Sequence, residues 1–306
     1  MLRRVLPATA VSALLIAGIT GCSAQQAAAD CTPLMQPGAL SDSVEVGGGF
    51  QADPAISVPD DVVINTSQRT VVDEAADRQV VAVEQSLVGV NMAFFDAATG
   101  DQVYQSPAFG TSDSPEFLLI DEEQPNPLSE SVRCLAAGDR AVLALGPAES
   151  AQLATQLGGK GETGVIGVID VESVSPLAVQ GKVKGLPNGY PAVVTNDEGR
   201  PGVVLPPRDA PAGTTAAVRI QGEGATVTEA NNIIAQVLEV GWDGTERTNS
   251  WNTGLMGLGN EDQIEQSGFT YRTALTGQQV GSQVVVVENV KGGTPRVLVI
   301  DILGVN

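Results

Sequence analysis

The chain has no histidine, only three cysteines among 306 residues, few aromatic rings, and less than half as many basic residues as acidic ones. Each shortage excludes something. Without an imidazole, Ser-His-Asp and Cys-His catalysis are impossible, and the commonest metal ligand is missing. With so few thiols, a zinc site would have to be built from carboxylates alone, so neither a metal nor a cofactor is expected. Sixteen lysines and arginines against 36 acidic side chains give a net charge of −20. A phosphate backbone would be repelled by such a surface, and nucleic acid is not an expected partner.

What is present begins with the first residues. Arg3 and Arg4 precede an apolar run over 5–19, which is too short to span a bilayer comfortably and reads as a secretory leader. The sequence ITGC at 19–22 resembles the lipobox of bacterial lipoproteins. That resemblance implies cleavage before Cys22, acylation of its thiol, and a chain tethered to the outer face of the cell membrane. An ordinary secretory leader with a chance cysteine is the other reading. Loss of Arg3 and Arg4 would leave 14 basic residues against 36 and a mature charge of −22. Outside the cell the remaining pair, Cys31 and Cys134, suggests a disulfide worth ~2–4 kcal/mol. Two unrelated buried thiols are the alternative.

The rest of the chain is written twice. PAISVP at 54–59 resembles PGVVLP at 201–206, and GDQVYQS at 100–106 lies against GTERTNS at 244–250. LAAGDRAVLA at 135–144 matches QQVGSQVVVV at 278–287, and VID recurs at 168–170 and 299–301. Gly100 to Gly138 spans 38 positions and Gly244 to Gly281 spans 37. Gly138 to Asp170 spans 32 but Gly281 to Asp301 only 20, so the second copy is shorter by about a dozen residues there.

Within each copy the pattern is strands with short helices. Apolar, β-branched runs at 79–88 and 233–240 precede turn chemistry at 98–100 and 243–244. Leu128, Val132 and Leu135 share one helical face. A counterpart helix is expected from an N-cap at Ser267 to Gly277, and a further helix over 148–157. Strands over 165–174 and 296–305 are apolar on both faces and should be central. The fold class expected is α+β: two domains, each a curved antiparallel sheet wrapped on a short helix. The division is a leader at 1–21, an anchored spacer at 22–45 and a first domain at 46–176. A linker at 177–200 and a shortened second domain at 201–306 follow. The segment from Pro191 is expected to add an edge strand to the second domain.

The strand-hairpin at 232–251, the junctions at 135–147 and 275–287 and the closing VID strands together resemble the FKBP-type peptidyl-prolyl isomerases. The tandem-domain lipoproteins of actinobacterial envelopes are the nearer likeness. The resemblance spans 62–174 and 201–306. It implies rotation about X–Pro bonds, a reaction that breaks no bond and needs no acid, base or nucleophile. In the family, an aromatic-lined cavity grips the proline ring while an aspartate and a flap tyrosine orient the peptide. Carried over to the second copy, the first-strand tyrosine falls on Val237 and the Phe-Asp pair on Arg247 and Thr248. The tryptophan floor falls on Tyr271 and the last-strand phenylalanine on Ile300, while a short turn at 288–293 replaces the flap. In the first copy the same positions are Gln85, Val103, Tyr104, Leu128 and Ile169, with the flap tyrosine at Ala151. The aspartate is kept in neither copy. The resemblance therefore implies weak isomerase activity, confined to the first domain, on proline-containing or extended segments of secreted polypeptides. A catalytically inactive peptide-binding chaperone or scaffold on the same fold is the alternative.

Trp242 and Trp251 are read as core filling, and the acidic loop at 121–123 as a solvated turn.

Overall fold

The computed structural model describes residues 30–59, 62–111, 114–153 and 163–306; the leader and Cys22 lie outside them. The strands in chain order are β1 (Glu45–Gly47), β2 (Ala55–Ser57), β3 (Gln68–Asp73), β4 (Ser86–Asp96), β5 (Gln102–Gln105), β6 (Glu116–Leu119), β7 (Arg140–Leu145) and β8 (Val165–Pro176). They continue with β9 (Ala192–Thr195), β10 (Pro201–Val204), β11 (Gly213–Ile220), β12 (Ile233–Gly241), β13 (Glu246–Asn249), β14 (Met256–Gly257), β15 (Gln283–Asn289) and β16 (Arg296–Val305).

Two six-stranded antiparallel sheets share one topology. The first runs β3-β7-β8-β4-β5 with β6 also on β4, and the second runs β11-β15-β16-β12-β13 with β14 also on β12. The copies agree at the level of single atoms. Ser106 Oγ accepts the Met92 N–H at 2.9 Å, and Ser250 Oγ accepts the Val237 N–H at 2.7 Å. Arg140 faces Asp170 across β7–β8, and Gln283 faces Asp301 across β15–β16.

The central strands β8 and β16 are buried on both faces, residues 165–171 and 296–304 without interruption. Two-sided burial needs two covers. One face of the first sheet packs Met92, Phe94 and Ile169 under Leu128, Val132 and Leu135. Its other face, with Val142, Ala144 and Ile166, is covered by Val46 and Ile56 of the β1–β2 hairpin. In the second sheet the outer cover is Val193, Val203 and Leu205 of the β9–β10 hairpin, beside Trp242 and Trp251. The segment from Pro191 is therefore not an edge strand of the main sheet. It pairs with 201–204 as a hairpin laid across the back, because Val193 and Val203 have an apolar face to cover there.

The helices are short, and the regular structure of the described residues is mostly β. The helix Pro127–Val132 is started by Asn126, whose side chain accepts from the Leu128 and Ser129 N–H groups. The helix beginning at Pro147 is described only as far as Leu153. The expected helix from Ser267 is displaced. Asn260 caps Glu261–Gln266 with a reciprocal bond to Gln263, Ser267 ends that helix, and only a 3-10 turn at Thr273–Leu275 follows. The strand expected from 79 starts at Ser86, with Val81 making one isolated bridge to Ala136. Cys31 and Cys134 are joined, closing a separation of 103 residues.

The two sheets meet through Leu87, Val179, Ile220 and Leu303, with Phe117 and Ile234 packed against them. The Val179 N–H donates to Asp301 Oδ2 at 2.8 Å, fixing the connecting segment to the second sheet.

Candidate functional site

On β4 the period of two sends Val90, Met92 and Phe94 to one face. Phe94 faces Tyr104 on β5 and Gly167 on β8, with its ring centroid 6.1 Å from that of Tyr104. Glycine at 167 is required by this contact, since a Cβ there would come within 2.6 Å of the Phe94 ring. Above these rings opens a cavity of about 380 Å³, walled also by Leu118, Leu128 and Leu153 and edged by Glu116 and Phe117. The helix carrying Leu128 is held at both ends. Asn126 caps its start, and the buried Arg69 donates to the carbonyls of Ser131 and Arg133 at 2.8 and 2.6 Å. A cation suits the carbonyl end of a helix. Burial nevertheless pulls the Arg69 pKa down to about 10.

The polar group of the cavity is the Tyr104 hydroxyl, which is hydrogen-bonded to Glu116. Burial, and then the bond to Glu116, push the phenol up to about 12, so the hydroxyl stays protonated and donating. Among the described residues no group of three His, Cys, Asp or Glu side chains could hold a metal ion. The cavity can accept an apolar side chain or proline ring, and the carboxylate at its edge, Glu116, is engaged by the Tyr104 hydroxyl.

Of the first-copy positions named from sequence, Tyr104 and Leu128 line this cavity, and Val103 and Ile169 belong to the same apolar cluster. Gln85 and Ala151 do not join them. Gln85 is exposed before β4 with φ 60, and the register set by Ser106 and Ser250 matches Val237 with Met92 instead. Ala151 is exposed on its helix, where Leu153 takes the inward position. Met92, Phe94, Glu116, Leu118 and Leu153 were not named from sequence. The alternation of β4 could have indicated Met92 and Phe94.

In the second copy Val237, Tyr271 and Ile300 share one cluster. Thr248 faces Glu239, and the exposed Arg247 turns back towards Glu239 at 3.9 Å. The decisive substitutions are elsewhere. By register, Phe94, Leu145 and Val165 of the first sheet correspond to Glu239, Glu288 and Arg296. Arg296 donates through Nε to Glu288 at 2.7 Å and through Nη1 to Glu239 at 3.0 Å. Its guanidinium lies 4.2 Å over the Phe269 ring and 5.6 Å from that of Tyr271. Burial works against both charges here. The Thr270 N–H and Arg296 still hold Glu288 below the usual carboxylate range, and the two carboxylates hold Arg296 above its own. Where the first copy has a cavity, the second has an ion triad of Arg296, the buried Glu288 and the half-buried Glu239.

No family model and no curated protein matches the chain. Among solved structures it is similar to the three FKBP domains of wheat FKBP73, at 10% identity and a TM-score of 0.31, over 78% of this chain and 94% of that one. It is also similar to the N-terminal domain of FKBP42 from Arabidopsis thaliana, at 11% identity and a TM-score of 0.31, over 41% of this chain and 98% of that one. At such superpositions the site's reading rests on its own geometry.

Proposed function

We propose that the chain is an extracytoplasmic protein, lipid-anchored at Cys22, in which the first of two FKBP-like domains binds X–Pro segments of secreted or envelope polypeptides and speeds their isomerisation. The observation that carries this reading is the apolar cavity floored by Phe94 and Tyr104 and walled by Leu128. A twisted prolyl amide has lost its resonance and is less polar than the planar one. A cavity that grips the ring and excludes water from the amide stabilises the twist relative to either planar isomer. The barrier of ~18–20 kcal/mol is set by amide resonance and no bond breaks in crossing it, so neither an acid nor a base is required. The second domain, with Arg296 in place of the apolar Val165, is the non-catalytic partner.

The competing reading, a peptide-binding chaperone without catalysis, is favoured by one detail. The Tyr104 hydroxyl is engaged by Glu116 and is not free to orient a substrate carbonyl. Cis/trans exchange of short X-Pro peptides, followed by NMR with the mature chain from Ser23, separates the two. Acceleration that Leu128→Arg abolishes without unfolding supports the isomerase. Resonance shifts without acceleration support the chaperone. The anchor is tested separately, by incorporation of labelled palmitate in the expressing cell and its loss in Cys22→Ala.

A further inference from the structure

A second, larger opening lies between the two sheets. It encloses about 670 Å³ and is walled by Pro115, Phe117 and Val174 on one side and Leu303 and Val305 on the other. Phe117 borders both this cleft and the first-domain cavity, so the two lie on either side of one side chain. Its ring seats on the second sheet because Gly304 has no side chain; a Cβ there would come within 2.6 Å of it. Phe117 belongs to β6, which among the described residues pairs only with β4 and leaves its other edge open. An open edge beside two pockets is the arrangement that takes up an extended peptide as an added strand.

The charges along this path share one sign. Glu116 edges the cavity, and Glu172 and Glu223 line the cleft, while among the described residues no lysine or arginine lines either. Both hydrogen-bond donors to the Glu172 carboxylate are neutral amides, Gln51 Nε2 at 2.6 Å and Asn91 Nδ2 at 3.0 Å. Burial lifts its pKa above the usual range, so an arriving cation would be favoured there.

We propose that the natural ligand is an extended segment carrying lysine or arginine, which adds to the open edge of β6 and runs from the first-domain cavity into the interdomain cleft. This rests on the reading of that cavity as a peptide site, and it adds the second half of the groove and the sign of the ligand's charge.

The test uses the mature chain from Ser23 and fluorescent peptides of about ten residues, long enough to span some 30 Å when extended. One has a central Leu-Pro flanked by lysines, and the other has glutamates in their place. The lysine peptide is expected to bind at least about tenfold tighter than the glutamate peptide at low salt, with the difference shrinking as salt rises. Glu172→Gln with Glu223→Gln is expected to remove most of that preference. Ala225→Trp, which fills the cleft from an exposed position, is expected to weaken the lysine peptide by about tenfold. Equal binding of the two peptides, or indifference of the lysine peptide to both variants, overturns the inference. Exchange of a four-residue X-Pro peptide by the unaltered chain reports on the first-domain cavity alone, so failure there is distinguishable from failure of the groove.

Discussion

The two sheets repeat one topology and differ in what they place at equivalent positions. In the first, Phe94 lies against Gly167 and its ring floors a cavity. In the second, the facing pair is Glu239 and Leu298, and Arg296 bridges Glu239 to Glu288. The changes are coupled: without a ring at 239 no glycine is needed opposite, and an arginine at 296 requires carboxylates around it. One framework thus supports an open apolar site or a closed ionic one, because the backbone hydrogen bonds that define the sheet do not depend on which side chains fill it.

The comparison breaks most visibly at Arg296. Arg296→Met should strand the buried Glu288 and the half-buried Glu239 and destabilise the second domain by about 3 kcal/mol in chemical denaturation. Replacing the whole set should do the opposite. Glu239→Phe, Glu288→Leu, Arg296→Val and Leu298→Gly together import the first-copy residues; stability is expected to be unchanged or to rise by about 1–4 kcal/mol. The same variant should give the second domain a response to X-Pro peptides in NMR titration. If it unfolds instead, the two copies differ by more than these four positions.

The VID aspartates offer a third contrast. Asp170 is paired with Arg140 at 2.6 Å. Asp301 faces Gln283, and burial, opposed by the Val179 and Gln283 hydrogen bonds, raises its pKa to about 6. In the unfolded chain this acid ionises near 3.8 and in the folded one near 6. Its contribution is therefore intact below about pH 4, is lost as pH rises through about 6, and amounts to on the order of 2–3 kcal/mol. Denaturation midpoints across that range should fall with pH, and Asp301→Asn should flatten the slope. Gly167→Ala should push the Phe94 ring towards the cavity, costing about 1–3 kcal/mol and weakening peptide binding. Leu298→Ala, at the matching position, should leave peptide binding unaffected. The smallest effect is expected at Arg247, whose contact with Glu239 is long and partly exposed; Arg247→Ala should cost less than ~1 kcal/mol in the same denaturation assay.

Much of this architecture is legible along the chain. The runs that become β8 and β16 are apolar enough to mark central strands, and the turns after β4 and β12 fall where glycine follows a polar residue. The helix under the first sheet is visible in Leu128 and Val132, while Leu135, expected on the same helix, follows its end. The site is less legible. Tyr104 and Leu128 are found by matching spacing, but Gln85 and Ala151 are misplaced, because the register of β4 depends on Ser106 bonding Met92 and the helix after Pro147 turns Leu153 inward.

By itself the sequence determined the duplication, the acidic composition, the absence of imidazole chemistry and the positions of the closing strands β8 and β16. These follow from composition and from local periodicity, which records how deeply a residue is buried. Only the tertiary structure decided what each residue is buried against. It laid the segment from Pro191 across the back of a sheet as a hairpin, brought Glu239, Glu288 and Arg296 together from three strands, and set Phe117 between two pockets. Such contacts join positions far apart in the chain, and their energies depend on cross-strand register, which no local pattern encodes.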